Sequence, residues 1–137
     1  MLSGWYLGGM GNSSAIITAG HAETARLDIH ELVRRLNTHL GPTLVAALAG
    51  AKDRKLPHRW AKPDGVEPGP AFQKRLQLAH RAWLSIADAE TEHVARAWFI
   101  GGNPFLDEDT PITAIREDRH REVIQAVRAL LEDRQDL

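Results

Sequence analysis

Ala71-Phe72-Gln73-Lys74-Arg75-Leu76-Gln77-Leu78-Ala79-His80-Arg81-Ala82-Trp83-Leu84-Ser85-Ile86-Ala87-Asp88-Ala89 is the stretch on which the fold class turns. Phe72, Leu76, Ala79, Trp83 and Ile86 recur at intervals of three and four residues. One face of a helix collects them, and Leu78 and Leu84 widen that face. The run is too long for a single strand and contains no Gly or Pro to interrupt a helix.

The same reading extends outward in both directions. Upstream, Pro63, Pro68 and Pro70 with Gly65 and Gly69 form a loop. Before that loop, Asp28 suits the N-cap of a helix bearing Ile29, Leu32, Val33, Leu36 and Leu40, which Gly41-Pro42 ends. Thr43 caps a short second helix through Leu48, and Gly50 stops it. Residues 1–27 are rich in Gly, Ser and Ala without a sustained period and read as a flexible N-terminal arm. Downstream, Thr91 caps a helix holding Val94, Ala97, Trp98 and Phe99, broken by Gly101-Gly102-Asn103-Pro104. Thr110 as cap and Pro111 as first residue start another, containing Ile112 and Ile115, with Asp107-Glu108-Asp109 beside its positive dipole end. After a kink near Asp118, Val123, Ile124, Val127, Leu130 and Leu131 mark a final amphipathic helix. No alternating pattern competes, so the fold class is all-α. The organisation is one domain, or two small helical units (28–70 and 71–137) sharing one core.

A hydrophobic fraction of 43% is enough to build a globular core. There is no Cys, which excludes disulfides, thiolate metal sites and thiol nucleophiles and fits a reducing compartment. No apolar run approaches the roughly 20 residues of a membrane span. The first seven residues lack the Lys or Arg of a secretory leader. The expectation is a cytoplasmic protein without membrane contact. The net charge of −1 hides a segregation: residues 29–81 carry ten Lys/Arg against four Asp/Glu, a net +6, and residues 82–137 carry six against twelve, a net −6. Such halves either face different partners or attract each other within the molecule.

Motifs that carry chemistry are few. Two short helices around Leu40-Gly41 and Ala47-Leu48, followed by a basic stretch ending in Trp60, have the layout of a small helix-turn-helix. Lys52, Arg54, Lys55, His58, Arg59 and Lys62 are its candidate DNA contacts. Pro57 and Pro63 leave barely more than one turn for a recognition helix, so a structural helix-turn-helix and a DNA reader both fit, with Trp60 as a core anchor. The seven His residues lack the paired spacing of a helical zinc site. Asp107-Glu108-Asp109 lacks the spacing and Gly of a calcium loop, and Gly8-Gly9-Met10-Gly11 follows no strand. The chain is expected to be no enzyme and to need no cofactor or metal.

The second half carries an ordered pattern. His93-Val94-Ala95-Arg96-Ala97-Trp98-Phe99-Ile100-Gly101-Gly102-Asn103-Pro104-Phe105-Leu106 is followed by Thr110-Pro111-Ile112, by Arg116-Glu117-Asp118, and by Val123 with a closing helix. In this order it resembles the toxin-binding domain of the Xre/MbcA/ParS-like antitoxins. The helix-turn-helix-like segment upstream is similar to the Xre-type half of that family, so the resemblance covers about residues 29–132. It implies a degenerate Xre-like helix-turn-helix region with its loop (28–70) before a helical toxin-binding domain (71–137). The implied role is the antitoxin of a type II toxin–antitoxin system. Family partners are RES-domain toxins that deplete NAD+, which the antitoxin blocks by lying over the active-site entrance. The alternative that the Xre half implies is a helix-turn-helix transcriptional repressor on operator DNA, autoregulating its own operon. A homodimer and a hetero-oligomer with toxin both suit the resemblance. Trp98, Asn103, Leu106, Arg116 and Asp118 are the candidate toxin-binding residues. Asp118 stands where the family usually has Gly, a position that reads as a left-handed turn, which Asp tolerates better than most residues.

Overall fold

A computed structural model describes residues 8–135, with side chains for 13–133. In chain order the helices are α1 (Gly8–Arg26), α2 (Ile29–Leu40), α3 (Pro42–Ala49), α4 (Leu56–Trp60), α5 (Pro70–Ala89) and α6 (Glu92–Ile100). A 3₁₀ turn (Pro104–Leu106), α7 (Pro111–Arg116) and α8 (His120–Gln135) complete the order. No strand occurs among the described residues, as the all-α reading requires. None of these helices is long and apolar enough to cross a membrane.

Most boundaries follow from local chemistry. The Asp28 carboxylate accepts from the His30 and Glu31 backbone N–H groups and starts α2. The Thr91 hydroxyl accepts from Val94 N at 3.1 Å to start α6, and Thr110 does the same for Thr113 N at the head of α7. Pro111 takes the first helical position, where no N–H is needed. Two starts differ from expectation. Pro42 opens α3 in place of a Thr43 cap, because a proline at the first position is already set at a helical φ. For the same reason α5 begins at Pro70.

The larger correction concerns the N-terminus. Over 8–26 the flexible arm is replaced by α1, which lies along α5 and reaches α8; residues 1–7 fall outside the described part. Its buried positions are Ser13, Ile17, Gly20 and Thr24, a stripe spaced by three and four residues. Apart from Ile17 the stripe is made of small residues, so it carries little hydropathy signal. It works by close approach instead: a Cβ on Gly20 would lie 3.1 Å from Ser85 Oγ and 3.3 Å from the Arg81 carbonyl. A buried hydrogen bond of 2.7 Å between the Thr24 hydroxyl and His80 Nδ1 ties the same two helices.

One hydrophobic core runs through the whole described chain. Leu32, Leu36 and Leu40 of α2, Val45 and Leu48 of α3, and Trp60 of α4 join Leu76, Trp83 and Ile86 of α5. Phe99, Leu106, Ile115, Val123 and Leu131 continue it through the second half. Packing is therefore not interrupted at the loop near residue 70, and the charge changes sign further along, near residue 81. The α6 stripe is also turned relative to expectation. Ala95 and Phe99 are its buried positions, Trp98 is half-buried and Ala97 is exposed, because α6 meets α5 through the residues four apart.

Candidate functional site

The five candidate toxin-binding residues separate into two places. Trp98 and Asn103 come together on an open groove of about 610 Å³, between the end of α6 with the 3₁₀ turn and the last turns of α8. Pro104, Phe105, Ala126, Ala129, Leu130, Glu132 and Asp133 complete its lining. Leu106 belongs to neither surface: contrary to expectation it is fully buried beneath the turn, as a core anchor and not a contact residue. The reversal has a local cause. A 3₁₀ turn points consecutive side chains about 120° apart, so Leu106 inward leaves Phe105 outward.

The turn is built by Asn103. Its side-chain oxygen accepts from Phe105 N at 2.9 Å, and its carbonyl accepts from Leu106 N and Glu108 N, each at 2.9 Å. Asp107 and Glu108 then follow with φ of 56° and 69°. Gly102 is needed at the edge, where a Cβ would sit 3.0 Å from the Glu108 carbonyl. Arg119 fastens the loop to α8. It donates to Leu106 O at 3.2 Å and Asp109 at 2.9 Å, pairs with Glu122 at 2.8 Å, and lies 3.5 Å from Glu117 and 3.8 Å from Asp107. The hydrogen bond to Glu122 leads in raising the Arg119 pKa, and the same contact lowers that of Glu122. Asp107 and Asp109 therefore gather around one guanidinium, while the cap of α7 is Thr110.

What this frame displays is apolar. Phe105 is 61% exposed, and Ile100 at the end of α6 is 52% exposed. Trp98 rests edge-on against Phe99, with centroids 5.1 Å apart, and its Nε1–H is buried with no hydrogen-bond partner among the described residues. Glu132 and Asp133 give the α8 side of the groove its charge.

Arg116 and Asp118 lie away from the groove. Arg116 is exposed, its stem against Gly50 at the end of α3. Asp118, at φ 61°, occupies the left-handed turn expected of it. Its carboxylate accepts from Arg75 Nε at 2.9 Å and Nη2 at 3.0 Å, while Arg75 Nη1 reaches Ala49 O at 2.8 Å. This contact depresses the Asp118 pKa and joins the basic and acidic halves through the one ion pair between them among the described residues. Asp118 is thus committed to an internal bond. Arg75 was not singled out in the sequence, since nothing there distinguishes it from its neighbour Lys74.

The six candidate DNA contacts are all exposed, on and beside α4. The helix is pinned from beneath: His30 Nδ1–H donates to Trp60 O at 2.7 Å, and Asn37 Nδ2 donates to Pro57 O at 3.0 Å. Trp60 is 2% exposed and packs against Phe72, with centroids 5.2 Å apart, as a core anchor. Asp53 partly offsets the charge, lying 3.7 Å from Arg59. At five residues α4 offers little more than one turn to a groove. Among the described residues no group of three His, Asp or Glu side chains converges as a metal set.

Comparison with protein-family models, with curated proteins and with solved structures finds no match to this chain.

Proposed function

We propose that this protein is the antitoxin of a type II toxin–antitoxin system and neutralises a RES-type NAD+-depleting toxin by docking across its active-site entrance. The observation that carries the reading is the groove beside Trp98, where a 61% exposed Phe105 sits on a rigidly bonded turn. A large aromatic held outward by a preorganised loop, with an apolar floor and a charged rim, has the anatomy of an interface centre. The order Trp98, Asn103, Leu106, Pro111 and Val123 supplies the family resemblance, and the mechanism needs no catalytic residue. Docking falls to Trp98, Asn103 and Phe105, with Leu106 and Arg119 holding the frame.

The test is co-expression with the toxin encoded by the neighbouring reading frame. Wild type restores growth. Phe105→Asp, at a surface position that leaves the fold intact, abolishes rescue and weakens the complex at least about 30-fold. A neighbouring product that is harmless alone, or full rescue by Phe105→Asp, refutes the reading. A helix-turn-helix repressor is a second reading, favoured by the six exposed cations around α4. Upstream DNA would then be retarded at low salt, and less so after Arg54, Lys55 and Arg59 are changed to Ala. Absence of retardation removes it.

A further inference from the structure

A second recess lies between α1, α5 and the start of α8, and it shares no lining residue with the groove beside Trp98. Its volume is about 310 Å³. His21, Lys74, Gln77, Arg81 and His120 give it donors, over an apolar base that includes Leu78. Among the described residues no carboxylate lines it. Asp118 borders a neighbouring hollow with Lys74 and His120, but that carboxylate is already held by two hydrogen bonds from Arg75.

Arg81 is the most informative member. Its side chain is half-buried, it forms no ion pair among the described residues, and its Nε–H is buried without an acceptor. The Arg128 guanidinium of α8 lies near enough to lower the proton affinity of Arg81, adding to the effect of burial. Arg128 Nε is likewise buried and unpaired. Two neighbouring guanidinium groups, each with a buried Nε–H that lacks an acceptor, repel each other and forgo hydrogen bonds. Folded chains ordinarily pair such groups with a carboxylate, and neither forms an ion pair among the described residues.

We infer that this recess binds a small phosphate-bearing molecule, its anionic oxygens taking donors from Arg81 and Lys74 and its organic part lying on Leu78. Arg and Lys are the side chains suited to phosphate, the one through several directed donors and the other as a mobile charge. His21 and His120 add donors at the mouth, and α8 begins at His120, so its dipole favours an anion there. The volume is at the low end of small-ligand sites, ~300–1,000 Å³, and suits a phosphate with a few carbons.

The full chain is titrated calorimetrically with inorganic phosphate and with glycerol 3-phosphate, at ionic strength matched by chloride. Saturable one-to-one binding is expected, tighter for the glycerol ester. Arg81→Gln and Lys74→Gln should each weaken it about tenfold or more. Lys74 is exposed, so its variant keeps the test valid if Arg81→Gln does not fold. Heats no larger than those of chloride, or unchanged affinity in Lys74→Gln, overturn the proposal. So does binding to duplex DNA or to phosphatidylserine vesicles that depends on Lys74 while neither small phosphate binds.

Discussion

Asp118 combines two opposed effects in one residue. A left-handed φ of 61° is unfavourable for a side chain, and the bidentate pair with Arg75 offsets it. The carboxylate is 54% exposed, so solvent screening holds the pair to roughly 0.5–1 kcal/mol. Asp118→Ala loses the pair and keeps the strain, and should destabilise by about 0.5–1 kcal/mol in urea unfolding. Asp118→Gly loses the pair but also relieves strain of about 1–2 kcal/mol, and should be neutral or slightly stabilising. Equal losses would show that the backbone strain is not felt. His80 gives a pH dependence. Burial, then the charges of Arg35 and His39, lower its pKa from 6.5 to about 4. The unfolded chain thus binds more protons than the native one between those values, so stability is complete above about 6.5 and falls as pH drops toward 4. The loss is on the order of 3 kcal/mol. His80→Gln, which retains a partner for Thr24, should flatten that slope when stability is measured from pH 7 to 4.

At the scale of elements, α1 is the helix whose place depends most on one small residue. A Cβ at position 20 already presses Ser85 Oγ and the Arg81 carbonyl, and a branched side chain presses further. Gly20→Val should cost about 1–3 kcal/mol by overpacking. Hydrogen exchange should quicken in 8–26 while α2 and α3 keep their protection, and uniform quickening would mean that α1 is integral to global unfolding. The same small-residue stripe explains why this helix was the least legible part of the sequence. Leu76, Trp83 and Leu36 announce burial by size and period, whereas Ser13, Gly20 and Thr24 bury themselves through backbone proximity. Helix starts at Thr91 and Thr110 were legible because a cap is a local event. The site was half legible. Trp98 and Asn103 do share a groove, but whether Leu106 or Phe105 faces outward depends on the 3₁₀ geometry after Pro104. Arg75 reaches Asp118 across 43 residues, a contact no local pattern encodes.

For the molecule as a whole, charge and packing divide the chain differently. Charge splits it near residue 81, while the core passes from Leu36 and Trp60 through Trp83 to Phe99 and Leu131 without interruption. Links between the halves are polar as well as apolar: His39 stacks on Trp83 with centroids 4.5 Å apart, Arg96 donates to His39 O at 3.1 Å, and Arg75 pairs with Asp118. Two regions so interleaved cannot lose one set of contacts without exposing the other's apolar surface, and unfolding should be a single cooperative event. The tryptophans report this directly, because Trp60, Trp83 and Trp98 sit on α4, α5 and α6. In urea, fluorescence and far-ultraviolet circular dichroism should give coincident curves with one slope, about 1–3 kcal/mol/M. A Trp60→Phe variant should move both midpoints together. If 28–70 and 71–137 folded as independent units, loss of Trp60 would shift only the first of two transitions, and the fluorescence of Trp98 would remain native through it.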